Sequence, residues 1–200
     1  MNADIDWEHA ADDLRPALLA RSLGPLEPAF NLGAIPMPDL ASLALKWTPH
    51  AIAGFNSVIF LDSLRYKFTD HPKTQEIFSR LDSWAASWGA PGLFGHTGIF
   101  SQYVIGTAEL VASTLLLVGL FLPAYRFLQP MGALLGLAIM TGAISFHLFT
   151  PLGVDPNNDG GGLFIAACLV WIGSAALVAF RWQETLDLVR KGAAFAAPAM

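Results

Sequence analysis

A single cysteine, Cys168, excludes an intrachain disulfide and a Cys-x-x-Cys redox pair from this 200-residue chain. Set among Ala166, Ala167 and Leu169, it reads as a small buried hydrophobe. Charge is scarce as well: Asp, Glu, Lys and Arg make up 14% of the residues, against about 25% in soluble domains. The net charge of -5, concentrated in the N-terminal segment, and the lack of a basic stripe exclude a nucleic-acid surface. No Gly-x-Ser-x-Gly, phosphate loop or nucleotide fingerprint occurs. The opening residues MNADIDWEHAADDL have neither the basic nor the apolar region of a signal peptide, so no cleavage is expected there.

Apolar runs fill the rest. Hydrophobic residues make up 54% of the chain, with a mean hydropathy of +0.50. The stretches 99–122, 127–150 and 163–180 each approach or exceed the ~20 residues that cross a hydrocarbon core. A fourth span is expected over 49–67, PHAIAGFNSVIFLDSLRYK, with Thr48 as N-cap and Pro49 at the first helical position, although Asn56, Asp62 and Arg65 interrupt it. Short connections such as 123–126 favour antiparallel neighbours. The expected fold is all-α: an integral membrane antiparallel four-helix bundle with an interfacial helix between spans one and two.

Residues 1–48 form an extramembrane tail, in which Ala11, Leu14, Leu18 and Leu19 at helical spacing predict an amphipathic helix. Pro25, Pro28, Pro36 and Pro38 predict an irregular stretch, then a short helix begun at Asp39. Ile77, Leu81, Trp84 and Trp88 share one face of the interfacial helix, which Gly89 and Pro91 close. The four-span domain covers 49–182, and residues 183–200 form a C-terminal tail that begins as a helix. Seven basic residues (Arg15, Arg21, Lys46, Arg126, Arg181, Arg190, Lys191) share a side with both termini, against four on the other (Arg65, Lys67, Lys73, Arg80), which puts the termini in the cytoplasm.

Glu109 stands in the middle of the second span. An ionised carboxylate costs at least ~2.5 kcal/mol at a bilayer centre, so it calls for a partner or a task. Gln102, Gly106, Glu109 and Ser113 share its helical face. On the third span Gly132, Gly136, Met140, Ala143 and His147 form a matching stripe, in which the two glycines allow close helix approach. At ~1.5 Å rise per residue, Asn56 and Glu109 both lie roughly 15 Å deep, with Thr141 near the same level. These three are expected to form a midplane hydrogen-bonding group. A second layer of Asp62, Arg65, Gln102, Tyr103 and His147 lies nearer the outer end, with Asp62 and Arg65 paired along one helix. Together the layers predict an outward-opening polar cavity, with Glu109 and His147 as the candidates for proton exchange. The plainer alternative is a protonated Glu109 bonded to Asn56 or Ser113 that serves only as packing glue.

No metal site is expected, because His147 lacks a second ligand at helical spacing. Asp155-Pro156-Asn157-Asn158-Asp159-Gly160 matches the first half of a calcium loop, but its twelfth position is Ala166 where an acid is needed, so a turn is expected.

The segments GFNSVIFLDSLRYKF, GTAELVASTLLLVGLFLPAYR and HLFTPLGVDPNNDGGG give the chain, over roughly residues 51–182, a resemblance to the DoxX-like superfamily of small four-helix bacterial membrane proteins. That superfamily includes the related small subunits of thiosulfate:quinone oxidoreductases. Its pattern of a glutamate, a leucine-rich run, a Gly-Leu turn and an arginine maps onto Glu109, Leu115 to Leu117, Gly119, Leu120 and Arg126. Ser63 and Lys67 fit only loosely the family's small residue before a lysine, and residues 1–48 are not covered. The resemblance implies a bacterial inner-membrane location and sulfur- or quinone-linked redox chemistry, with quinone the one cofactor suggested. Three readings follow. The leading one is an accessory or scaffold subunit, not catalytic on its own, that supports a redox or respiratory partner. The second is a quinone-linked oxidoreductase component with a proton-exchanging Glu109, and the third a small-solute transporter. The partners they call for are a lipid bilayer and either another protein or a second copy.

Overall fold

The computed structural model describes residues 39–196; the amphipathic helix and proline-rich stretch expected before Asp39 lie outside the described residues. Six helices and no strand occur among them: α1 (Leu40–Lys67), α2 (Pro72–Ser87), α3 (Gln102–Phe121), α4 (Leu128–Phe149), α5 (Gly162–Phe180) and α6 (Trp182–Ala196). A 3₁₀ turn, Pro123–Tyr125, joins α3 to α4.

Helices α3, α4 and α5 are long and apolar enough to cross a membrane. Helix α1 is longer, at 28 residues, but carries Lys46, Asp62, Arg65 and Lys67 within its length. It does not start at Thr48 as the Thr-Pro pair suggested. The short helix expected from Asp39 runs on without a break, and Pro49 lies buried inside it. An interior proline has no N–H to give the carbonyl four residues back. Thr48 turns its hydroxyl to the neighbouring carbonyl of Ala44 (2.7 Å) rather than capping a helix start. At α3 the cap is Ser101, whose Oγ accepts from the Val104 N–H, so the helix begins three residues later than Ile99.

Helix α1 packs against α3 and α5, and α4 packs against the same two, so the four close a ring. Neighbours run in opposite directions. Lys67, at the end of α1, meets Gly106 near the start of α3, and Gly119, near the end of α3, meets Gln129 at the start of α4. Ala53, Phe60, Ala112, Leu116, Ala133 and Val170 form the shared core.

Helix α2 covers the end of the ring at which α1 finishes. His71 caps it by accepting from the Lys73 N–H, and Pro72 opens it. Its buried face is Thr74, Leu81 and Ala85, with Leu81 and Ala85 packed on Phe94 and Leu152. Trp88, expected on that face, lies beyond the helix end and is 78% exposed. Asp82 Oδ1 holds the following loop by accepting from the Phe94 and Gly95 N–H groups at 3.0 and 3.2 Å.

Candidate functional site

Glu109 is buried, and its partners are on α1. Lys67 Nζ lies 2.9 and 3.1 Å from its two carboxylate oxygens. Ser63 Oγ lies 2.5 Å from Oε2 and 2.8 Å from the Phe60 carbonyl, so its one proton serves one acceptor at a time. Ser63 and Lys67 stand four apart on α1, which puts both on one helical face toward α3. The side chains of Lys67 and Glu109 are 13% and 4% exposed, so this is a buried ion pair.

The expected midplane group of Asn56, Glu109 and Thr141 does not form. Asn56 Nδ2 donates to Val170 O and Ser174 Oγ on α5. Thr141 Oγ1 donates to Leu137 O and accepts from Trp171 Nε1. Two physical reasons account for the difference. Helix α3 starts at Gln102, so Glu109 is about 10 Å from its end rather than 15. A lysine at the end of α1 also has a stem long enough to carry its ammonium inward to that depth.

The second expected layer divides in three. Asp62 and Arg65 pair at 3.1 Å on the exposed side of α1, well over half of each side chain in the open, so they take no part in the cavity. Gln102 and Tyr103 converge on Asp70 Oδ1, to which Gln102 Nε2 and Tyr103 OH both donate at 2.6 Å. Asp70 holds a left-handed backbone, φ 54°, just past α1. His147 faces the interior, where Nδ1 donates to the Gly153 carbonyl (2.6 Å) and the ring packs edge-on against Phe164.

A cavity of about 450 Å³ lies inside this end of the ring, beneath α2. Its walls include Phe60, Phe78, Leu81, Phe94, Phe146 and Leu152, and its polar groups are Ser63, Lys67, Glu109 and His147. Glu109 and His147 therefore share one cavity, whereas Asn56, Gln102, Tyr103 and Thr141 lie outside its lining. An apolar enclosure with a few convergent polar groups is the usual form of a small-molecule site.

Other motifs resolve into structure. The carboxylate of Asp155 accepts from the Asp159 and Gly160 N–H groups at 2.9 and 3.2 Å, which builds the turn before α5. Backbone hydrogen bonds, that of Asp159 first, hold its carboxyl below the usual aspartate range. Among the described residues no group of three His, Cys, Asp or Glu could hold a metal ion. Sequence reasoning missed Ser63 and Lys67 as partners of Glu109, and Asp70 altogether. The available signal was Ser63 and Lys67 at a four-residue step, near the end of the charged helix α1. Comparison with family models, curated proteins and solved structures finds no match to this chain.

Proposed function

We propose that this chain is an integral membrane four-helix bundle of DoxX-like type, a subunit of a bacterial inner-membrane redox assembly whose cavity binds a quinone-class molecule. In this reading α1 is the fourth span, with Lys46 and the Asp62 to Lys67 segment reaching toward the two interfaces, and both termini are cytoplasmic.

One observation carries the proposal: an apolar cavity of about 450 Å³ with a buried Lys–Glu pair and a histidine in its wall. A buried pair adds little net stability over well-packed apolar residues, so stability alone is a weak reason to keep one. The lining suits a molecule with an apolar body and carbonyl oxygens. Lys67 and Ser63 are donors for such an oxygen, the aromatic walls hold the ring, and Glu109 and His147 are groups that can take up or release a proton. A quinone would supply two-electron acceptance, which the lone Cys168 cannot offer as an intrachain dithiol couple.

A specific observation favours the accessory reading as well. All of the Glu109 bonds are internal, to Ser63 and Lys67, as a helix-joining contact would have them. The two readings make one protein: a subunit that holds quinone for a partner with the redox centre. Purified protein is expected to retain quinone in its lipid extract, and Glu109→Gln is expected to lower that occupancy and the redox activity of the assembly. Retention of no quinone, with activity untouched by Glu109→Gln, would overturn the proposal.

A further inference from the structure

The cavity is not sealed on all sides. Ile105 on α3 and Ala138 and Gly142 on α4 belong to its wall, and Ala138 is exposed although it sits in the middle of α4. The antiparallel register is fixed by Gly119 against Gln129 and by Gly132 against Ala112 and Leu116. Followed along the two helices, it brings Ala138 to the level of Glu109 and Gly142 to that of Ile105. Near the depth of the ion pair the α4 side of this wall thus offers an alanine and a glycine, with Ile105 opposite on α3. A Cβ added at Gly142 would meet only the edge of the Phe146 ring, at 4.0 Å.

Outside this wall a second hollow, also about 450 Å³, runs over the same seam, lined by Tyr103, Val104, Thr107, Ala108, Val111 and Leu135. It begins beside the opening, since Val104 adjoins Ile105 and Leu135 lies three residues from Ala138. Val104 and Val111 are 47% and 45% exposed, on a face that would meet lipid.

Resting on the reading of the cavity as a quinone-class site, we infer that its ligand is a single-tailed amphiphile: the head lies inside against Lys67 and Glu109, and the chain leaves the ring between α3 and α4 past Ala138 and Gly142. The outer hollow takes the first part of the chain. A tail on this path runs along a mainly apolar seam, with Tyr103 and Thr107 its polar members, whereas one turned toward α2 would run beneath Asp70 and Gln102. The small residues have a defined task here: they keep open a lateral gap at the one depth where the head is held.

The test uses full-length protein in phosphatidylethanolamine and phosphatidylglycerol nanodiscs, with two probes: a decyl-tailed benzoquinone carrying a diazirine on its chain, and the same ring without a tail. Photolysis is expected to label Val104, Thr107, Val111 or Leu135. Gly142→Phe narrows the gap and is expected to weaken the tailed probe about tenfold, the equivalent of two buried methylenes, with the tail-less ring held within about twofold. Gly142→Ala, a one-methyl control for the fold, should leave both affinities close to those of the parent. Labels confined to α2 or the loop at Phe94, or a tailed affinity indifferent to Gly142→Phe, would overturn the inference while leaving the quinone reading intact. Failure of both probes to bind the parent protein would overturn the quinone reading, and this inference with it.

Discussion

Toward the Pro123–Tyr125 turn the helices touch throughout, and toward α2 they enclose a cavity, although α1 still meets α3 at Gly106. In the close half glycines set the spacing. A Cβ on Gly132 would come within 3.0 Å of the α3 backbone, one on Gly119 within 2.8 Å of the Gln129 nitrogen, and one on Gly173 within 2.6 Å of Asn56 Oδ1. In the open half aromatic and aliphatic side chains line a space they do not fill, and the helices are joined by the Ser63–Glu109–Lys67 contact. Close packing serves where backbones meet, and a buried ion pair serves where a space is kept. Interhelical hydrogen bonds, Asn56 to Ser174 and Trp171 to Thr141, add to both.

The sharpest way to break this comparison is to remove one half of the ion pair. Lys67→Met leaves the Glu109 carboxylate buried with only Ser63, and is expected to cost about 3–5 kcal/mol. Thermal unfolding in detergent micelles measures it, and Lys67→Met combined with Glu109→Leu should recover most of the loss. A full loss that persists in the double variant would mean that the pair is not what couples α1 to α3.

Next comes added bulk, placed once in each half. Gly132→Ala pushes a methyl against Ala112 O and Leu116, at an expected cost of about 1–3 kcal/mol. Ala143→Leu grows into the cavity and should cost less than about 1 kcal/mol or stabilise the fold. Equal penalties in the same unfolding assay would erase the contrast between the halves.

The smallest effect concerns the loop whose Gly153 carbonyl holds His147. Its turn depends on the Asp155 carboxylate, whose pKa in the folded chain lies below that of free aspartate because backbone N–H groups, that of Asp159 first, bind the charged form. The stabilising contribution is therefore present above the unfolded pKa and is lost as pH falls through the lower folded value. An NMR titration should give a midpoint for Asp155 below that of free aspartate, and Asp155→Ala should broaden the His147 ring signals while leaving the helices folded.

Much of the fold could be read along the chain because helical periodicity and apolar length are local properties. The apolar stretches became α3, α4 and α5 within a few residues of their expected ends, and the face of Ile77, Leu81, Trp84 and Trp88 became α2 up to Ser87, with Trp88 just past its end. The start of α1 could not be read in this way, since Thr48-Pro49 is as good a beginning as any by local chemistry. In the folded chain the helix starts at Leu40 and Pro49 is a buried interior position. Glu109 and His147 could be singled out because a charge or an imidazole in an apolar run is a local anomaly. Asp62 and Arg65 were equally anomalous, yet they point outward and pair with each other.

By itself the sequence determined that this is a helical, apolar, single-cysteine chain with a carboxylate at Glu109 that needs a partner, because composition and spacing set cost and period without reference to neighbours. The tertiary structure decided who the partner is. The three-residue shift in the start of α3 and the reach of a lysine stem chose Lys67 over Asn56, and neither is written in the spacing of either helix alone.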